Sequence, residues 1–247
     1  MSLRYLLPLL LLLSVGYASA EETTIAVAAN FTPAAQDLAD AFAKETKHRA
    51  VLAFGSTGKL YAQITQGAPF DVFLSADAAH PELAETSGLA VPGTRFTYAR
   101  GRLALWSAEP GLVDREGQVL SSAWEGRLAL ANPKTAPYGA AAEQVLQNLN
   151  LDQRLATQIV YGDSISQAHQ FVATGAARMG FVALSQIIAD SSGSRWLVPE
   201  SFHAPLVQDA VLLTSGANNP AARDFLAFLK GPSGRAIIAA HGYEGAP

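Results

Sequence analysis

The 247-residue sequence predicts an α/β protein of two lobes, each a mostly parallel sheet covered by helices on both faces. Three observations carry that prediction. Short runs of apolar and β-branched residues alternate with longer segments whose apolar residues fall at helical spacing, in the order βαβαβα. The same alternation resumes in the second half of the chain. No Ser/Gly-rich linker, low-complexity tract or fixed-period repeat separates the halves. The chain is therefore expected to cross between lobes twice, near Tyr98–Leu103 and near Pro205–Ala210. Residues 21–99 with 210–247 would form lobe 1, and residues 100–209 lobe 2.

The elements follow in order. Thr23 to Ala29 is a β-branched, apolar run typical of a buried strand. Thr32 and Pro33 read as N-cap and first residue of a helix reaching about Thr46, with Leu38, Ala41 and Phe42 on its apolar face. Arg49 to Phe54 is strand-like, and Gly55-Ser56-Thr57-Gly58 is a turn. Leu60 and Ile64 mark a short helix stopped by Gly67. Asp71 to Ser75 is a strand, and Asp77 stands where it can cap the next helix, which ends near Gly88. In the second half, Arg102 to Trp106 and Arg127 to Ala131 read as strands, and Tyr138 to Leu149 and Asp152 to Gln158 as helices. Ile159 to Tyr161 is a short strand, Ile165 to Thr174 a helix, and Met179 to Ala183 a buried strand. Trp196 to Val198 and Leu206 to Thr214 are further strands. Pro220 and Pro232 open two final helices.

Composition removes several classes of function. The chain has 17 Lys+Arg, 21 Asp+Glu and no Cys. Zero Cys excludes a disulfide scaffold, a thiolate nucleophile and a Cys-containing zinc site. A formal net charge of −4 argues against a nucleic-acid binder. With 49% apolar and 15% charged residues, the chain has the composition of a folded protein. Its first twenty residues read as a cleavable signal peptide: Arg4 supplies positive charge, Leu6 to Val15 is apolar except for Pro8 and Ser14, and Ala18-Ser19-Ala20 is a cleavage site. The apolar run is too short for a spanning helix of about 20 residues. Removal takes away one Arg and no acid, so the net charge moves from −4 to −5. The expected compartment is the periplasm.

Catalytic signatures are missing. GSTGK (55–59) lacks the spacing of a phosphate-binding Walker loop, and no G-x-S-x-G elbow occurs. The histidines at 48, 80, 169, 203 and 241 show no i,i+3 or i,i+4 pairing, so no helical metal site is expected. The sequence is thus not read as an enzyme. Instead, four junctions that lead into helices carry small polar residues: Ala28–Pro33, Phe54–Lys59, Asn132–Gly139 and Gly162–Gln167. Taken singly, each is what ordinary helix capping requires. Taken together, and facing one crevice beyond the carboxyl ends of the strands, they would make an anion site from helix N-termini alone.

The same blocks carry a family resemblance. Ala26–Thr32 (AVAANFT), Phe54–Leu60 (FGSTGKL) and Gly67–Asp77 (GAPFDVFLSAD) resemble successive motifs of the periplasmic molybdate-binding proteins, the solute receptors of ABC-type molybdate importers. Asn132-Pro133, Pro137-Tyr138-Gly139, Gly162–Gln167 (GDSISQ), Gly180–Ala183, Leu229–Pro232 and His241-Gly242-Tyr243 continue the series in order. The resemblance implies a type II periplasmic-binding fold, with an oxyanion held between the lobes. It implies that Asn30 and Thr57, with Ser56 beside it, donate from the first lobe. Tyr138 and the backbone N–H of Ile165 would donate from the second. Many family members carry Ser at the position of Asn30 and Tyr at the position of Ala183; Tyr138 would supply the second-lobe hydroxyl here. The implied ligand is molybdate or tungstate, bound as the oxyanion with no cofactor. The implied partner is a membrane permease, with the receptor itself a monomer. The alternatives are a receptor for sulfate, phosphate or ferric iron, and a periplasmic hydrolase of anionic esters.

Overall fold

Parallel strands that lie inside a sheet are buried on both faces, and the first strand shows it. In the computed structural model, which describes residues 20–190 and 192–245, β1 (Glu22–Ala28) has all but its first residue buried or nearly so. The signal-peptide assignment falls on residues 1–20, of which 1–19 lie outside the described residues. After β1 come α1 (Thr32–Thr46), β2 (Arg49–Gly55), α2 (Thr57–Thr65), β3 (Val72–Leu74), α3 (Ala79–Thr86) and β4 (Phe96–Gly101). The second lobe contains β5 (Leu103–Ser107), β6 (Leu128–Ala131), α4 (Pro137–Asn148), α5 (Asp152–Leu155) and β7 (Ile159–Gly162). It continues with α6 (Ile165–Ala173), β8 (Met179–Ala183), α7 (Leu184–Ile187) and β9 (Ser194–Leu197). The chain returns through β10 (Leu206–Leu212) and closes with α8 (Pro220–Lys230) and α9 (Pro232–Ala240).

The strands form two five-stranded sheets, in the orders β2-β1-β3-β10-β4 and β7-β6-β8-β5-β9. In the first, β1 pairs in parallel with β2 and β3, and β10 runs against β3 and β4. In the second, β6 pairs in parallel with β7 and β8, and β5 runs against β8 and β9. Each sheet is therefore parallel apart from one strand. That strand directly follows or precedes a crossing between lobes, which is why it enters its sheet in the opposite direction. The α/β class and the two lobes agree with the expectation.

The crossings are short. β4 of the first sheet ends at Gly101 and β5 of the second begins at Leu103. The return lies between the 3-10 turn Glu200–Phe202 and Leu206, which pairs with Gly101. The expected lobe limits at 99/100 and 209/210 thus fall inside β4 and β10. β4 itself is an addition to the strands read from sequence.

One core is centred on Ile25, Val27, Phe31, Leu38, Phe42 and Phe225, where α1 and α8 cover the first sheet. A larger one in the second lobe holds Leu103, Leu105, Leu128, Leu130 and Phe181. At the first helix the structure departs from the expected cap. Ala29–Phe31 already forms a 3-10 turn, and Thr32 is helical, with its hydroxyl donating to Ala29 O at 2.8 Å. The helical path therefore begins three residues earlier, at Ala29. Asp77 behaves as expected, accepting the N–H of His80 in the first turn of α3 at 3.0 Å. Among the described residues no helix is long and apolar enough to cross a membrane.

Candidate functional site

Four helical starts meet in one small cavity between the lobes. Ala29 and Asn30 come from the end of β1, and Ser56 and Thr57 from the start of α2. Tyr138 comes from the start of α4 and Ile165 from the start of α6. All five residues singled out in the sequence line it. The space open to a water molecule inside it is only about 10 Å³, so its walls lie close together. No Lys, Arg, Asp or Glu side chain lines it. Each helical start leaves its first N–H groups without intrahelical acceptors and carries about half a positive charge. The cavity is therefore electropositive through dipoles rather than through ions. Among the described residues, no group of three or more His, Asp or Glu side chains is placed to hold a metal ion.

The side chains differ in what they can still offer. Ser56 is buried and precedes α2, yet it makes no capping bond, and its Oγ has no protein partner. An orphaned buried hydroxyl costs about 1–3 kcal/mol, and this one borders the cavity. Thr57 Oγ1 accepts the N–H of Ala76 at 3.0 Å, which leaves its own proton to donate. Tyr138 is 1% exposed, and its Oη accepts from Gln208 Nε2 at 3.3 Å. Burial pushes the phenol of Tyr138 well above its ordinary range, so it stays protonated. Ile165 is the first residue of α6; the N-cap Ser164 accepts the N–H of Gln167 and leaves that of Ile165 free of it.

Asn30 departs from expectation. Its side-chain N–H groups are spent inside the protein, on Gln208 Oε1 at 2.8 Å and Tyr243 Oη at 3.1 Å. What Asn30 offers the cavity is its backbone N–H, at the start of the 3-10 turn. Ala183 is buried, with its N–H bonded to Gln186 Oε1 at 3.0 Å, and does not line the cavity.

The lobes are closed over this space. Gly58 N–H donates to Thr135 O at 2.9 Å, and Ser166 Oγ to Ala29 O at 3.0 Å. Ser185 Oγ donates to Asn30 O at 2.8 Å, and Lys59 pairs with Asp163 at 2.8 Å. A Cβ at Gly139 would run into Ala131 O, so the glycine lets α4 sit directly on the end of β6 and brings Tyr138 to the cavity. Ser166 and Tyr243 stood inside sequence motifs without a role assigned to them, and Gln208 and Ser185 were not singled out in the sequence. Their bonds to the site reach 70 to 213 residues along the chain, and no local pattern gives them these partners.

Residues 23–244 match the family model described as bacterial extracellular solute-binding protein. The chain belongs to that family. This solute-binding protein is 53% identical over 229 residues to the molybdate-binding protein ModA of Azotobacter vinelandii, covering 92% of this chain and 91% of the relative. It is 52% identical over 226 residues to ModA of Rhodobacter capsulatus, covering 92% and 89%. Its structure is similar to that of the Azotobacter vinelandii periplasmic molybdate-binding protein, with a TM-score of 0.88 and 45% identity, covering 91% of this chain and all of the other. These relatives are binding proteins, and the two-lobed architecture of the solute-binding protein is theirs.

Proposed function

We propose that this protein is a periplasmic receptor that binds molybdate, and tungstate, in the cavity between its lobes and delivers the ion to the permease of an ABC importer. The observation that carries the proposal is a small cavity between the lobes bordered by hydroxyls and helix-start N–H groups, with the Ser56 hydroxyl buried beside it and unpartnered. Molybdate at neutral pH is a tetrahedral dianion without a proton, so its oxygens only accept. The Ser56, Thr57 and Tyr138 hydroxyls and the N–H groups of Asn30 and Ile165 would face it. A protonated phosphate brings a hydrogen that such a wall leaves unpaired, at about 1–3 kcal/mol. Sulfate carries no proton, and its smaller tetrahedron leaves longer, weaker bonds. The ligand is cargo and not a cofactor, and the protein acts as a monomeric binder rather than an enzyme. The names of the relatives at 53% and 52% identity support the same ligand.

Thermal melting of the mature protein with sodium molybdate, against sodium sulfate and sodium phosphate, tests this reading. At about 100 times the dissociation constant a ligand adds about 2.7 kcal/mol. For a chain of this length that raises Tm by roughly 5–10 °C. The shift is expected with molybdate and tungstate and not with the controls. No shift with any oxyanion, from a preparation free of bound ion, overturns the assignment.

A further inference from the structure

We propose that Gln208 is a positioning residue that makes Tyr138 an obligatory donor to the ligand, through a one-way chain of buried hydrogen bonds that begins at a backbone carbonyl. The proposal rests on the reading of the cavity as an oxyanion site and concerns how that site rejects proton-bearing ions.

The chain of bonds has a fixed direction. A carbonyl has no proton, so Asn30 O can only accept, and it does so from Tyr243 Oη at 2.7 Å and Ser185 Oγ at 2.8 Å. Tyr243 has a single proton, spent on that carbonyl, so its oxygen receives one N–H of the Asn30 side chain at 3.1 Å. The other N–H of that amide goes to Gln208 Oε1 at 2.8 Å. Tyr98 Oη gives its single proton to the Ser75 carbonyl at 3.0 Å and lies 3.2 Å from the same Oε1, so the Asn30 N–H is the donor that orients this amide. The Gln208 amide is thereby oriented with Nε2 toward Tyr138 Oη, at 3.3 Å. Tyr138 must accept there, and its one proton is left for the cavity. Asn30, Gln208, Tyr98, Tyr138 and Tyr243 are all buried, so no bulk water competes for these bonds. Gly101 closes the arrangement: a Cβ there would overlap both Tyr138 Oη and Gln208 Nε2. Gln208 also sits where the β10–β4 pairing shifts register, a bulge of the kind that re-aims a side chain. A Tyr138 held as a donor suits a proton-free oxyanion and offers no acceptor to the hydrogen of a protonated one.

The test is calorimetric titration of molybdate and of inorganic phosphate into the parent protein, Gln208→Met, Gln208→Glu, Tyr138→Phe and the Tyr138→Phe/Gln208→Met double variant. The unliganded melt of each is recorded alongside. Gln208→Met is expected to weaken molybdate binding by about tenfold or more. In the Tyr138→Phe background, the same substitution should change affinity by less than about threefold, because the hydroxyl through which it acts is gone. Gln208→Glu keeps the shape but accepts the Tyr138 proton and turns an oxygen lone pair to the cavity. In titrations well above the second pKa of phosphate both ions are dianions, so the added charge repels them alike, and the ratio of phosphate to molybdate affinity should rise by about tenfold. That ratio is read even if Gln208→Met folds poorly. Equal losses from Gln208→Met in both backgrounds, or an unchanged ratio in Gln208→Glu, overturn the positioning role while the ligand assignment stands. Failure of the parent protein to bind molybdate overturns both.

Discussion

A hydroxyl that is buried without a partner is stabilising only once something arrives to receive its proton. Ser56 is such a group. Ser56→Ala should therefore leave the unliganded melting temperature unchanged or slightly higher while weakening molybdate binding by about 1.5–3 kcal/mol, the usual worth of a bond to a charged group. Thermal melting and titration calorimetry on one preparation read both effects. Asn30→Ala should show the reverse order of damage. It strips Gln208 Oε1 and Tyr243 Oη of a donor, so it costs about 1–3 kcal/mol of stability before any ligand is added. The choice of Asn30, Ser56, Thr57, Tyr138 and Ile165 came from the family resemblance, while the junctions that hold them and border the cavity were legible as helix starts with small polar residues. The task of the Asn30 side chain was not, since its partners lie 178 and 213 residues away and only the folded chain brings them together.

Helix α8 shows what a cap can do beyond closing a helix. Asn219 Oδ1 accepts the N–H of Ala221 at 3.0 Å, while Nδ2 donates to Glu22 O at 2.9 Å and Asp71 Oδ2 at 3.0 Å. The cap thus ties α8 to the beginning of the first sheet. Asn219→Ala should cost about 1–2 kcal/mol in urea unfolding, with the slope of the transition unchanged. Helix α6 adds a pH dependence. Its His169 stacks on Trp106 of β5 with ring centroids 5.0 Å apart, and burial pushes its imidazole below the ordinary 6.5. The folded state takes up that proton less readily than the unfolded chain, so the contribution is complete above pH 6.5 and is lost as pH falls through the lowered folded value. Unfolding series between about pH 5 and 8 should show stability falling on the acid side, and His169→Gln should flatten that part of the curve. The helices opened by Pro220 and Pro232 were plain in the sequence, because proline at a first helical position is a local signal. β4 was not. Arg100 and Gly101 break its apolar run, and it is a strand because β10 returns to pair with it, a contact that local propensity does not encode.

At the scale of the molecule, ligand binding is expected to be coupled to closure of the lobes. The closed form joins the lobes through Gly58–Thr135, Ser166–Ala29 and Ser185–Asn30. Small-angle scattering should show a smaller radius of gyration on saturation with molybdate, with the unliganded protein more open. An unchanged profile would count against hinge motion. The Lys59–Asp163 pair also spans the lobes, but its side chains are 47% and 74% exposed. Lys59→Ala should then change affinity by no more than about 1 kcal/mol. The alternation of strands and helices made the two-lobe plan readable and placed the start of β10 at Leu206, whereas the run of β4 to Gly101 depended on sheet pairing that sequence patterns do not carry. The seam over the cavity also sets a tempo. With lobes that open as the scattering experiment tests, entry needs only an encounter with the open molecule, whereas exit needs the Gly58–Thr135 bond and its neighbours to part together. Tight retention therefore needs no slow arrival. A membrane partner that strains this seam would empty the site mechanically, without ever competing for the ion inside.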